Sequence, residues 1–450
     1  MRIHFIAIGG SAMHNLAIAL HKKGFEITGS DDAVFEPSSS RLARFGLLPE
    51  AMGWDDQRIT TDLDAVILGM HAFPDNPELL KAQALGLKVY SYPEYIYEQT
   101  KDKLRVVIGG SHGKTTITSM ILHVLNYYKR DFDYLVGAQL EGFDTMVKVT
   151  NEAPVIIIEG DEYLASPIDR RPKFHLYKAN IGVISGIAWD HINVFPTFES
   201  YVEQFDIFIN TIQPKGKLIY CELDEALKQL VENSTATVAK VPYSIPAHVV
   251  ADGITRLLPS NTPLNVFGDH NLMNLSAARL VCESLDINED EFNQAISSFK
   301  GAAKRLELIG SHEGCNVYKD FAHSPSKLKA TIDAVKSQFP DRKLIACIEL
   351  HTFSSLNKNF LLQYEHTMAK ADLAIVYIDE MTFKHKKIAP FTEMDVRNAF
   401  KDENLLFFDQ ITALENYLRD INFKDSNLLL MSSGNFSSMD LIKLARELKV

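Results

Sequence analysis

The chain predicts an α/β protein of three consecutive domains, and three observations carry that reading. Its 450 residues correspond to three domains at a prior of about 150 residues each, every one long enough to bury its own core. Short apolar runs suited to buried strands alternate with segments of helical period along the whole chain. The strand and helix pattern restarts twice, near residues 105 and 301. No fixed-period repeat and no low-complexity tract interrupts it, which argues against a solenoid or a disordered tail.

The first part opens with RIHFIAIGG, an apolar strand ending in paired glycines. HNLAIALHKKG then spaces apolar residues for a helix, and FEITGSDD supplies a second strand. DAVILGM and LKVYSYPEY repeat the strand pattern, so residues 1–104 read as one parallel unit closed by Lys101-Asp102-Lys103. LRVVIGG starts the second part. It is followed by the helical TTITSMILHVLNYYK, the apolar strands PVIIIEGDE and IGVISGIAWDH, the helix FESYVEQFDIFINTI, the strand KLIYCEL and the helix NLMNLSAARLVCESL, which together fill residues 105–300. Residues 301–450 form the third part, with strands at NVYKDFA, KLIACIEL, DLAIVYI, NLLFF and NLLLMSS between helices such as SKLKATIDAVKSQF and SMDLIKLARELK.

Charge narrows the function. Lys and Arg number 46 against 58 Asp and Glu, a net charge of -12, the wrong sign for an unselective binder of nucleic acid or anionic membrane. Small-molecule partners are expected, with no nucleic acid and no membrane. No signal-peptide pattern opens the chain, and no apolar run reaches the roughly 18 residues of a membrane span, so a cytoplasmic location is expected. Cys221, Cys282, Cys315 and Cys347 lie at least 32 residues apart, without a CxxC pair for zinc or redox work. They read as buried reduced thiols.

The strongest chemical signal is Gly109-Gly110-Ser111-His112-Gly113-Lys114-Thr115-Thr116, set between a strand and a helix. Backbone N–H groups in such a turn bind phosphate oxygens, a lysine adds charge, and a following threonine hydroxyl can ligate Mg²⁺. The spacing GxxxxGK[ST] is not met, because Ile108 stands where the first glycine belongs. Glu159, Asp161 and Glu162 follow the run VIII, and a strand beside the glycine loop would deliver one of them to a nucleotide-bound metal. Asp190-His191 holds the same place after IGVISGIAW.

Gly9-Gly10 also ends a strand, with Asp31 about 20 residues on. Ile8-Gly9-Gly10-Ser11-Ala12-Met13 is not GxGxxG, so NAD is disfavoured while another diphosphate at the helix start stays open. In His270-Asn271-Leu272-Met273-Asn274 the two amides share one helix face and can read an adenine edge or cap the helix. Arg305, Asp320 and His323 open the third part, where an ion pair and a turn histidine are the plain alternatives.

Taken in order, IAIGGSAM, GGSHGKTT, EGDE, WDH, DHNLMN, KRLE and DFAHSP resemble the motif series of the Mur ligases, the ATP-dependent enzymes that build the peptide of bacterial peptidoglycan. The resemblance implies a Rossmann-like N-terminal domain (1–104) binding UDP-N-acetylmuramate, a central P-loop ATPase domain (105–300) and a Rossmann-like C-terminal domain (301–450) for the amine acceptor. It implies ATP and Mg²⁺ as cofactors, and an acyl phosphate that the incoming amine displaces.

By match to the motifs, Gly110, Ser111, His112, Gly113, Lys114, Thr115 and Thr116 would hold ATP with Asn271, Asn274, Arg305 and Asp320. Thr115, Glu159 and His191 would bind metal, and Lys114, Glu159, His191 and His323 would serve catalysis. Gly9, Gly10, Ser11, Ser30, Asp31 and His71 would meet the UDP-sugar, and Arg170 and Arg171 a peptide. Three stretches resemble the peptide-adding members more than the alanine-adding ones: Asp161-Glu162-Tyr163 through Asp169–Phe174, Asp320–His323, and Met431–Phe436. L-alanine is the alternative acceptor, and a P-loop NTPase without ligase activity the alternative from another class. Two departures from the family pattern stand out: residues 192–206 contain no lysine, and Ser324 follows His323 where many relatives have a second histidine.

Overall fold

In a computed structural model of the chain, the structure describes residues 1–140, 142–189, 194–302, 305–386 and 389–449, apart from the His385 side chain. By internal contacts it falls into two units. One comprises Met1–Ser244 with Met273–Ala295, the other Ile245–Leu272 with Ile296–Val450.

The first unit holds two sheets. The smaller is all parallel, with Arg2–Ile6 between Glu26–Ser30 and Ala65–Leu68, and Val89–Ser91 on the far edge. Its central strand is buried except at Arg2, as expected of a parallel strand covered on both faces. The larger sheet orders Ala239–Tyr243, Lys217–Cys221, Ile181–Ile184, Leu104–Gly109, Val155–Glu159, Asp133–Leu135 and Val147–Lys148, and only the last pair is antiparallel. Leu104–Gly109 therefore has Val155–Glu159 on one side and Ile181–Ile184 on the other. Three strand ends that carry polar residues meet at one edge, the carboxyl edge where ligands of such sheets bind.

The second unit has a six-stranded sheet ordered Glu307–His312, Cys315–Asp320, Ser426–Met431, Lys343–Glu349, Leu373–Tyr377 and Leu406–Phe408, parallel except for its first pair. A small antiparallel sheet of His248–Ala251, Ile254–Leu257 and Thr262–Leu264 accompanies it. The sequence gives little warning of that sheet, because His248–Ala251 is half or fully exposed and lacks the apolar run of a core strand.

One expected strand is mostly helix. LKVYSYPEY pairs only over Val89–Ser91 and then turns into the helix Tyr92–Thr100. Ser91 and Glu94 form a reciprocal capping box and Pro93 lies in the first turn, where its missing N–H costs nothing. All four cysteines are free and buried, and burial pushes the Cys315 thiol up to about 11. Among the described residues no helix is long and apolar enough to cross a membrane.

Candidate functional site

The glycine loop lies where strand and helix patterns predict it, between the strand Leu104–Gly109 and the helix Lys114–Tyr127. Gly110 has φ +120° and Gly113 φ +82°, conformations that side-chain-bearing residues rarely adopt. A Cβ on Gly110 would lie 2.7 Å from the Ser185 N, and one on Gly113 would collide with the Asn274 amide. The loop is tied to the neighbouring strand end: the Ser111 N–H donates to the Gly186 carbonyl at 2.9 Å, and its hydroxyl to the Ala188 carbonyl at 2.6 Å. Thr116 is buried in the first helical turn, and the His112 carbonyl accepts from the Ser185 hydroxyl.

Two carboxylates face this loop. Glu159 ends the adjacent strand in register with Ile108, so its side chain reaches the helix start. It accepts from the Thr115 hydroxyl at 2.7 Å through Oε1 and from the Gly137 N–H at 2.8 Å through Oε2. Glu162, fully buried, accepts from Lys114 Nζ at 3.0 and 3.1 Å, while the same ammonium donates to the Gly110 carbonyl at 2.6 Å. Burial alone would lower the Lys114 pKa; the charges of Glu162, Glu159 and Asp161 overcome it and hold the ammonium above its ordinary range. Asp161 instead pairs with Lys173 at 3.0 Å.

In the smaller sheet of the same unit, the Gly9 N–H donates to Asp31 Oδ2 at 2.6 Å. Burial raises the Asp31 pKa against the pull of that N–H. Gly10 stands at the N-cap of the helix Ser11–Lys22, and no side-chain hydrogen bond caps that start. Ser30 is fully buried and its hydroxyl donates to Glu78, so it braces the turn from below and does not line its surface. His71 is exposed beyond the next strand end.

Asn271 and Asn274 both lie on the helix Asp269–Glu283. Asn274 covers Gly113, whereas the Asn271 amide donates to the Phe267 carbonyl at 3.0 Å. In the second unit, Asp320 is buried and accepts from the Leu306 and Ala322 N–H groups at 2.6 Å each, and the Arg305 guanidinium lies over the Phe321 ring at 4.8 Å. Burial raises the Asp320 pKa, with those N–H groups and Arg305 pulling the other way. His323 Nδ1 is 2.8 Å from the Phe321 carbonyl. Arg171 is committed to Asp169 at 2.6 Å and Glu94 at 3.1 Å, while Arg170 is exposed. Asp190 and His191 lie outside the described residues.

Three family models cover nearly the whole chain: the Mur ligase family catalytic domain over residues 2–103, the Mur ligase middle domain over 108–282, and the Mur ligase glutamate ligase domain over 304–434. A UDP-N-acetylmuramate--L-alanine ligase of Clostridium kluyveri is 30% identical over 455 residues, covering 96% of each chain. The chain belongs to the Mur ligase family. Its three-domain α/β architecture and its enzyme class, ATP-dependent ligation forming a C–N bond, follow from that membership.

Two solved Mur ligases are similar. The UDP-N-acetylmuramate:L-alanyl-gamma-D-glutamyl-meso-diaminopimelate ligase of Neisseria meningitides matches with a TM-score of 0.58 and 25% identity, over 66% of this chain and 98% of its own. The MurF ligase of Thermotoga maritima, solved with ADP, matches with a TM-score of 0.62 and 15% identity, over 88% of this chain and 96% of its own.

The Mur ligase loop of this chain fits a nucleotide's phosphates. Gly110 and Gly113 hold positive-φ conformations against Ser185 and Asn274 that side-chain-bearing residues would strain, and a lysine is held against the loop. Thr115 and Glu159 offer hard oxygen donors, the set Mg²⁺ takes alongside phosphate oxygens and water. Sequence reasoning grouped Glu162 with the metal carboxylates and missed its bond to Lys114. It missed Glu78 altogether, whose sequence signal is its place in the first turn behind Asn76-Pro77.

Proposed function

We propose that this Mur ligase joins the carboxylate of UDP-N-acetylmuramate to an amine at the expense of ATP, with Mg²⁺ as the cofactor metal. The observation that carries the reading is the glycine loop whose lysine and threonine are each held by a carboxylate from the adjacent strand end. Lys114 exchanges Glu162 for the β- and γ-phosphates, and its charge offsets the negative charge that develops as the substrate carboxylate attacks the γ-phosphorus. Thr115 and Glu159 hold the metal, which neutralises phosphate charge when bound, and His191 is assigned to a second metal by its motif. Asn274 packs against the loop at Gly113, and Asn271 is assigned to the adenine by its motif. By their motifs Arg305 and Asp320 are assigned to ATP and His323 to the acyl or amine group. Gly9, Gly10 and the N–H groups at the start of Ser11–Lys22 receive the UDP-sugar diphosphate, with Asp31 fixing the turn and His71 at its rim. The domain boundaries at 104 and 300, and a cytoplasmic location, belong to the same proposal.

The name of the Clostridium kluyveri relative makes L-alanine the better-supported acceptor. A second reading, addition of L-alanyl-γ-D-glutamyl-diaminopimelate, is favoured by Asp169–Phe174 and Met431–Phe436 and by the Neisseria relative. Of the two arginines in the first stretch, Arg170 is the one not already paired within Glu94 and Asp169. Phosphate release from ATP, Mg²⁺ and UDP-N-acetylmuramate, measured with each acceptor in turn, tests both readings. Release with L-alanine alone supports the first, release with the peptide alone supports the second, and release with neither defeats the ligase assignment.

A further inference from the structure

The N-terminal domain contains a buried acid that no step of the ligation uses. Glu78, in the first turn of the helix Pro77–Ala84, is fully buried, as are His4 and Ser30 beside it. Its Oε2 accepts from the Ser30 hydroxyl and lies 3.3 Å from His4 Nε2, while His4 Nδ1 is 2.9 Å from the Thr28 hydroxyl. Its Oε1 accepts from the Asp55 N–H at 2.9 Å and faces Arg58 Nη1 at 3.7 Å. Burial pushes this carboxyl's pKa up, but the bonds from His4, Ser30 and Asp55 together hold it below the ordinary range. A buried carboxylate is costly unless it is this fully bonded, and the structure gives it four partners on three segments.

Those segments converge on the glycine turn. Arg58, facing Glu78, donates to the Gly53 carbonyl at 2.9 Å and the Ala51 carbonyl at 3.1 Å. The Gly53 N–H donates at 2.7 Å to the carbonyl of Asp31, and the Asp31 side chain accepts from the Gly9 N–H at 2.6 Å. Ser30, bonded to Glu78, directly precedes Asp31. Two routes therefore run from Glu78 to Asp31 and on to Gly9: one through Ser30, one through Arg58 and the loop Ala51–Gly53.

We infer that Glu78 is a positioning residue for the UDP-sugar turn, setting Asp31, and through it the Gly9–Ser11 backbone, from a point buried beneath them. The inference rests on the proposed binding of UDP-N-acetylmuramate at that turn. It assigns Glu78 no contact with substrate. It predicts an effect on that ligand and none on ATP, because among the described residues the bonds of the network run to the Gly9 turn and not to the glycine loop at Gly110–Lys114.

The test compares wild type, Glu78→Gln, Arg58→Met and the double variant by calorimetric titration with UDP-N-acetylmuramate, alongside steady-state KM and kcat. Loss of one charged, buried hydrogen bond is expected to weaken UDP-N-acetylmuramate binding about tenfold, with kcat and the KM for ATP changed less than about twofold. Arg58 is partly exposed, so Arg58→Met keeps the question open if Glu78→Gln does not fold. Its expected loss is about threefold, and the double variant should lose less than the product of the two, because both act through one network. Wild-type binding with unchanged affinity in Arg58→Met and Glu78→Gln overturns the inference. So does an equal loss for ATP, or strict multiplicativity in the double variant. Absence of UDP-N-acetylmuramate binding by the wild type defeats the underlying reading instead, a distinct result.

Discussion

Two glycine turns in one unit are built alike and armed differently. Each ends a parallel strand, feeds a helix and has a carboxylate within hydrogen-bonding distance, yet the loop at Gly110–Gly113 brings a lysine into the cradle and the turn at Gly9–Gly10 does not. At the first, the carboxylate Glu162 neutralises the lysine, and in the proposed function phosphate takes its place. At the second, Asp31 grips the turn's own Gly9 N–H and is a fixed part of the backbone. In the proposed function one device concentrates charge for chemistry and the other shapes a surface for recognition.

The sharpest break of that contrast is Lys114→Ala. With the developing phosphate charge left uncompensated, kcat should fall about 10³-fold, with the far-ultraviolet spectrum unchanged. Near-normal turnover would mean that the lysine, for all its position, does no more than pair with Glu162. The reverse substitution of the pair is expected to act on stability first. Glu162→Gln strands a mostly buried ammonium, at a cost of about 3 kcal/mol, seen as a drop in melting temperature. Saturating ATP should recover a larger share of that loss than it adds to the wild type, since phosphate then takes the place of the carboxylate.

A comparison of the glycines themselves is smaller in size but cleaner. Gly113→Ala places a Cβ against Asn274 at a φ of +82°, for an expected loss of about 1–3 kcal/mol and a raised KM for ATP. Gly10 has φ -56° and no atom closer than 3.5 Å to an added Cβ, so Gly10→Ala should cost about 0.5 kcal/mol as a poorer helix cap. Equal melting temperatures for the two variants would remove the distinction between a strained cradle and a relaxed turn.

The central parallel strands were legible because they are runs of buried β-branched and aliphatic residues, as in VIIIE, and the loop because glycine, lysine and threonine crowd a strand-to-helix junction. Chain order could not show which carboxylate meets which partner. Glu159 and Glu162 lie three residues apart, yet one bonds Thr115 and the other Lys114, a division set by the strand ending at Glu159 and the chain turning after it. Ser30 and Arg171 were read as ligand contacts on position, whereas their side chains are committed to Glu78 and to Asp169 with Glu94. Half-exposed strands such as His248–Ala251 carry no periodic signal, and Tyr92–Thr100 was hidden because β-rich tyrosines outweighed the Ser91–Glu94 cap in a residue-by-residue reading.

The last and smallest effect is the pH dependence that Asp31 brings to the N-terminal turn. Burial raises the Asp31 pKa in the folded chain more than the Gly9 N–H lowers it. A carboxyl whose folded pKa lies above its unfolded value binds its proton more tightly when folded, so its contribution to stability is complete below the unfolded value and is lost as pH rises through the folded one. Asp31→Asn keeps an oxygen to accept from Gly9 but cannot titrate. Melting temperatures of wild type and variant should therefore converge at the acidic end and diverge in the variant's favour as pH rises through the carboxylate range. A constant gap across that range would show that Asp31 carries its charge without penalty, and the two turns would then differ in their cation alone.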